Sequence, residues 1–222
     1  MVTLLLAAAL VAAPQAAAQN ADIRTFCSGD ASITEKASKA GTGSNALSFS
    51  NAKTRVVRLD TGDVLMIRSE NGDDQLVVEE NGKFRRLVAG KTTIHSLYLS
   101  PDKRKVAVVV TVGERGTLTS APNAALYLFD TETWLGEQVV KLFGFTGVSW
   151  SPDSKVLAYG DYSKARFLDV ATGKVMETCG VDSAATPDGR EKIQKLGWLG
   201  EKQFRMSYQS PSGNHDYLVT LP

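Results

Sequence analysis

One phrase recurs in this chain: a short apolar strand, then Ser-Pro-Asp, then a second strand rich in Val and Ala. Leu97-Tyr98-Leu99-Ser100-Pro101-Asp102 leads into Val106-Ala107-Val108-Val109, and Val148-Ser149-Trp150-Ser151-Pro152-Asp153 leads into Val156-Leu157-Ala158-Tyr159. Each copy continues to a further strand that closes on Asp, namely Leu126-Tyr127-Leu128-Phe129-Asp130 and Arg166-Phe167-Leu168-Asp169. Thr133 and Thr172 follow those aspartates by three positions, as in a tight turn, with Gly173 on hand for a positive φ. A repeat of roughly fifty residues marks a supersecondary unit that cannot bury both faces alone and must stack on neighbours.

Two fainter copies flank this pair. The first runs from Leu59-Asp60-Thr61-Gly62 through the strand at 64–67, the turn Asn71-Gly72-Asp73, the strand at 75–78, and Asn81-Gly82 before residues 84–88. Asn-Gly between apolar runs is a strong hairpin signal. The last copy holds Leu196-Gly197-Trp198, the strand at 204–208, the turn Pro211-Ser212-Gly213 and the strand at 216–221, with Trp198 in the place of Trp150.

Ser-Pro-Asp before a short β-branched strand, and a hairpin leading to Leu-Tyr-x-x-Asp, resembles the repeats of TolB-like and WD-related β-propellers. The resemblance covers residues 58–221 and implies an all-β fold of about four antiparallel four-stranded blades. In it, the strand after Ser-Pro-Asp lies near the propeller centre, where Ala107 and Ala158 permit close packing. Repeats that match in residues as well as rhythm favour a propeller over a sandwich or barrel, which alternation alone does not exclude. Propellers of this kind usually have more blades. The expected solutions are a closed four-bladed ring, a covered open arc, or completion by a second copy. The final repeat holds about three strands, and residues 55–59 are expected to supply its missing one.

The expected organisation is a leader at 1–18, a polar arm at 19–54 and a propeller-like domain at 55–222. Residues 4–13 are unbroken apolar, Pro14 ends the run, and Ala16-Ala17-Ala18 offers a small-residue cleavage site, the layout of a secretory signal peptide. No Lys or Arg precedes the run. About ten apolar residues fall short of the roughly 20 that span a bilayer as a helix, so no membrane span is expected. Arg24-Thr25-Phe26 before Cys27 is wrong for lipid attachment. In the arm, Ser32-Ile33-Thr34-Glu35 matches a capping box, which predicts a short surface helix ending near Gly41. A fragment of a further blade is expected at 47–50.

Export implies an oxidising compartment, periplasmic or secreted. Cys27 and Cys179 are the two cysteines and are expected to form a disulfide, with two unpaired thiols as the alternative. Lys and Arg number 25 against 24 Asp and Glu, a formal net charge of +1. That balance argues against a nucleic-acid partner, whose phosphates call for a basic excess. Arg85-Arg86 and the run 103–105 read as solvated strand ends and turns.

Chemistry is hard to find. His95 and His215 stand outside any zinc-binding pattern, and no nucleophile elbow, calcium loop or phosphate loop occurs. The pairs Asp73-Asp74 and Glu79-Glu80 read as solvated carboxylates at turns, and Asp60, Asp102 and Asp153 recur as turn formers. No catalytic residue, metal ligand or cofactor site is expected. The reading is a non-catalytic binding or scaffold module for a protein of the cell envelope or a secreted macromolecule. The alternatives are a hydrolase or lyase with its site at the propeller channel, and a self-assembling structural component such as a homodimer. Long loops at 113–123 and 180–192 are the expected contact surfaces, represented by Glu114, Arg115 and Asp188, with variable decoration as the alternative. Trp134 is the expected exposed aromatic contact, while Trp150 and Trp198 read as core.

Overall fold

Runs of β-branched and aromatic residues, broken every few positions by turn formers, favour strands throughout. The computed structural model describes residues 23–36, 55–88, 92–112, 124–142, 145–161, 163–183, 192–210 and 213–222. Among these residues there are four antiparallel sheets and no helix. The expected leader and the fragment at 47–50 lie outside the described residues.

Two N-terminal strands come first, β1 (Ile23–Cys27) and β2 (Ser32–Lys36). The first blade follows as β3 (Val56–Arg58), β4 (Val64–Glu70), β5 (Asp73–Glu80) and β6 (Lys83–Val88). The second is β7 (Thr92–Leu99), β8 (Lys105–Val112), β9 (Ala124–Asp130) and β10 (Gly136–Leu142). The third is β11 (Phe145–Trp150), β12 (Val156–Asp161), β13 (Lys164–Asp169) and β14 (Lys174–Ser183). The last holds β15 (Lys192–Trp198), β16 (Gln203–Ser210) and β17 (Gly213–Thr220). Each sheet is a meander, and β1 and β2 add to the outer edges of the third and fourth.

The Ser-Pro-Asp phrase earns its recurrence in the turns. Ser100 Oγ donates to Asp102 Oδ1 at 2.6 Å and accepts from the Lys105 amide at 3.0 Å. The second copy repeats this, with Ser151 Oγ to Asp153 at 2.7 Å and the Val156 amide to Ser151 Oγ at 2.9 Å. Lys103 and Ser154 take positive φ at the same place in both turns. Asp130 accepts from the amide and hydroxyl of Thr133, and Asp169 from those of Thr172. Asp102 and Asp153 hold turns, as their recurrence predicts, whereas Asp60 accepts from Lys103 Nζ at 2.7 Å. The strand after Ser-Pro-Asp is the second of its blade, not the innermost; Ala107 and Ala158 are still fully buried there.

Three buried clusters bind the blades face to face. Leu65, Leu76, Val78, Ile94, Val106 and Trp134 lie between the first and second. Ala107, Leu126, Leu157 and Tyr159 lie between the second and third. Phe167, Trp198, Phe204, Met206 and Tyr217 lie between the third and fourth. Trp150 Nε1 donates to the Tyr98 carbonyl at 2.8 Å, and Trp198 Nε1 to the Ser149 carbonyl at 3.1 Å, so the matched tryptophans stitch successive inner strands together. Among the described residues no such cluster joins the fourth blade to the first.

Two expectations about the N-terminal region are corrected. Residues 32–36 form a strand, not a capped helix, because β2 pairs with β17 from Ser32↔Thr220 to Lys36↔Asp216 and Ile33 packs against the cluster between the last two blades. Partnership along a sheet edge outweighs a local capping pattern with a thin apolar face. The strand that completes the fourth blade is therefore β2. The segment expected to do so, 55–59, holds β3, which pairs with β4 and buries Val57 in the first interface. Residues 23–36 thus belong to the blades rather than to a separate arm.

Candidate binding surface

Two regions stand out once the blades are in place. The first is a clasp where the N-terminal strands cross from the third blade to the fourth. Cys27 and Cys179 are direct cross-strand partners in β1 and β14 and are joined by a disulfide. Beside them, Glu177 is 4 % exposed. Its carboxylate accepts from Ser28 Oγ at 2.8 Å, the Gly29 amide at 2.8 Å and the Ala31 amide at 3.3 Å. A Cβ at Gly29 would sit 2.6 Å from Glu177 Oε2, so any other residue there would displace the carboxylate from its donors. Burial opposes ionisation of Glu177, and the hydrogen bonds outweigh it, holding the carboxyl below its usual range. Cys27, Glu177 and Cys179 bring potential metal ligands together, but the disulfide occupies both sulfurs. This region fastens the fold.

The second region is the face of the first blade turned away from the second. Side chains alternate across a strand, so Leu65, Ile67, Leu76 and Val78 enter the interface, and Val56, Met66, Arg68, Val77, Phe84 and Arg86 take the opposite face. Register brings these together: Met66 pairs with Val56 and Val77, and Val77 with Arg86. Phe84 is 54 % exposed and Val56 51 %. The Arg68 guanidinium lies 4.0 Å over the Phe84 ring, and its Nε donates to Met66 Sδ at 3.2 Å. Arg68, Gln75, Val77, Phe84 and Arg86 line a hollow of about 460 Å³, with Gln75 held by Glu70 at 2.7 Å. The surface offers Val77, one aromatic ring and two guanidinium groups, with Ser69 and the Glu70 carboxylate on its rim. It suits an apolar or aromatic side chain flanked by negative charge.

The residues expected to make contacts fare differently. Trp134 is 3 % exposed and packs in the interface between the first two blades, which corrects its reading as an exposed hot spot. Its positive φ of 55° turns the side chain inward from the Asp130 turn, and the neighbour Leu135 is exposed instead, at 73 %. Glu114, Arg115 and Asp188 lie outside the described residues. Their loops leave strand ends at Val112 and Ser183, the same end of the blades as the turn between β4 and β5. His95 is buried and meets Thr111 Oγ1 at 2.9 Å, while His215 meets Glu35 across the joint between β17 and β2.

Sequence reasoning passed over three positions. Asp74 is an inter-blade latch, not a solvated turn carboxylate. It meets Arg55 at 3.0 Å, Ser69 at 2.5 Å and the Ile94 amide at 3.0 Å. Against the cost of burial, those bonds lower its pKa. Phe84 and Arg86 read as ordinary strand residues, and the signal that could have singled them out was a basic pair beside an aromatic on the solvent side of an outer strand.

No protein-family model and no curated protein matches the chain. Solved structures do. A prolyl endopeptidase matches with a TM-score of 0.50 at 17% identity, over 76% of this chain and 28% of its own. The β-propeller domain of the Trilobed protease from Pyrococcus furiosus, described as having an open velcro topology, matches with a TM-score of 0.45 at 14% identity, over 70% of this chain and 45% of its own. TolB from Acinetobacter baumannii matches with a TM-score of 0.39 at 16% identity, over 75% of this chain and 43% of its own. The chain spans less than half the length of each. At these identities the likeness shows the fold alone, and the four antiparallel sheets are the blades of a β-propeller.

Proposed function

We propose that this chain is an exported, non-catalytic binding module whose contact surface is the outward face of its first blade. The observation that carries this reading is Phe84, 54 % exposed under a stacked arginine beside a hollow of about 460 Å³. Exposed aromatics next to arginine are the usual anchors of protein interfaces. The carboxylates that recur along the chain are engaged in turns or latches, which supports binding over hydrolysis. An intrachain disulfide supports an oxidising compartment. A protein of the cell envelope or a secreted macromolecule is the proposed partner.

Affinity capture from envelope extract of the host, with oxidised protein as bait, tests the reading. One protein retained by the wild type and lost with Phe84→Ala is the expected result. Loss on shortening 113–123, with Phe84→Ala silent, moves the surface to the loop end of the blades. Retention of nothing by any form, together with a stable dimer in sedimentation, replaces the reading with self-assembly.

A further inference from the structure

We infer that the first blade binds an extended, acidic polypeptide segment by strand addition along β6; this rests on the binding-module reading above and specifies the chemistry of its partner. The sheet order β3-β4-β5-β6 leaves β6 hydrogen-bonded to β5 on one side, with no strand on the other among the described residues. The other three sheets end in the same way, on β10, β1 and β2, so it is the side chains that set β6 apart. A bare edge presents a row of backbone donors and acceptors to any extended chain.

The side chains of β6 choose among such chains. Lys83, Phe84, Arg85 and Arg86 are all exposed. Arg85 turns toward Glu80 at 3.4 Å and the Thr133 carbonyl at 3.2 Å. Lys83, Arg86 and Arg68 have no ion pair among the described residues, although the chain as a whole carries a net charge of only +1. Two copies meeting edge to edge at β6 would oppose these cations, which disfavours a second copy as the occupant. An acidic strand neutralises them. Alternation then places every second side chain of the incoming strand on the face that holds Phe84, Arg86 and the Arg68 guanidinium, so an apolar side chain against Phe84 has its same-face carboxylates two positions to either side, within reach of Arg68 and Arg86. The segment expected carries an apolar or aromatic residue with an acidic residue two positions to either side.

The test is fluorescence anisotropy with a labelled ten-residue peptide that carries Glu and then Val or Phe in turn at every second position, with Thr between them, alongside two controls. One control replaces each Glu with Lys, and the other methylates alternate backbone nitrogens. The acidic peptide is expected to bind, more weakly as salt rises, and neither control is expected to bind. Arg86→Glu and Phe84→Ala should each weaken binding about tenfold or more with unchanged melting temperatures. Amide exchange along β6 should slow in the complex. Equal binding of the lysine peptide overturns the charge argument, and equal binding of the methylated peptide overturns strand addition. If no peptide binds while affinity capture still returns a partner sensitive to Phe84→Ala, this inference fails and the binding-module reading stands. If capture returns nothing as well, both fail.

Discussion

The fourth blade borrows its outer strand from residues 32–36, nearly two hundred positions away in sequence from its partner β17, whereas the first blade builds all four strands from the consecutive stretch 56–88. The borrowed strand must offset the entropy of closing a very long loop. It does so with the disulfide between Cys27 and Cys179, the Glu177 carboxylate that gathers the turn at 28–31, and Ile33 in the last interface. The first blade has no such closure to make, and its own fourth strand, β6, carries Lys83, Arg85 and Arg86, all exposed. The borrowed strand is held by covalent and buried polar chemistry. The outer strand of the first blade carries charge, and a charged edge with an exposed ring beside it is a surface on which another chain can dock.

That contrast can be broken most sharply in the core of the fourth blade. Phe204 is fully buried and meets Phe167 and Trp198 edge-on at 5.0 and 5.2 Å. Phe204→Ala is expected to cost about 3–5 kcal/mol in a denaturant melt. Next comes the clasp. Replacing Cys27 and Cys179 together by Ser should cost about 2–5 kcal/mol, lowering Tm by about 2–4 °C for each kcal/mol. A wild-type Tm in the double variant would show that strand pairing alone holds the N-terminal region.

Glu177→Gln leaves the shape and removes the charge that Ser28 and the Gly29, Ala31 and Thr178 amides solvate. The expected cost at neutral pH is about 1–3 kcal/mol, and acid sharpens the test. A carboxylate whose folded pKa is depressed stabilises the fold above its unfolded value, and that stability is lost as the pH falls through the folded value. The wild type should therefore lose Tm below about pH 4, and the gap between it and Glu177→Gln should narrow there. A constant gap would mean that Glu177 acts by shape alone. The smallest stability effect belongs to the first blade: Phe84→Ala should change stability by no more than about 0.5 kcal/mol while abolishing partner retention. A large loss of stability instead would make Phe84 part of the core and remove it as a contact.

The repeats were legible because each turn is built from its own residues. Ser100 and Asp102 close a hydrogen-bond ring within five positions, and Ser151 and Asp153 do the same, so the chemistry repeats wherever the phrase does. The matched tryptophans could likewise be read as core, since each lies one repeat from its counterpart. The disulfide followed from a count of two cysteines in a chain expected to be exported. Strand 32–36 was not legible. Its conformation is set by β17, which is distant in sequence, and its local pattern favours a helix.

Trp134 shows the same limit at a single residue: a turn in the left-handed region sends it inward, and no composition rule reports the direction of one side chain. The surface of the first blade is a third case. Arg68, Val77, Phe84 and Arg86 lie on three strands and become neighbours only through register. Sequence by itself determined the strands, their turns and their grouping into blades, because those depend on hydrogen bonds and periodicities that span a few residues. Which edges are covered, which carboxylates are buried and which face stays open were decided by tertiary structure, because each depends on a partner that only the folded chain brings within reach.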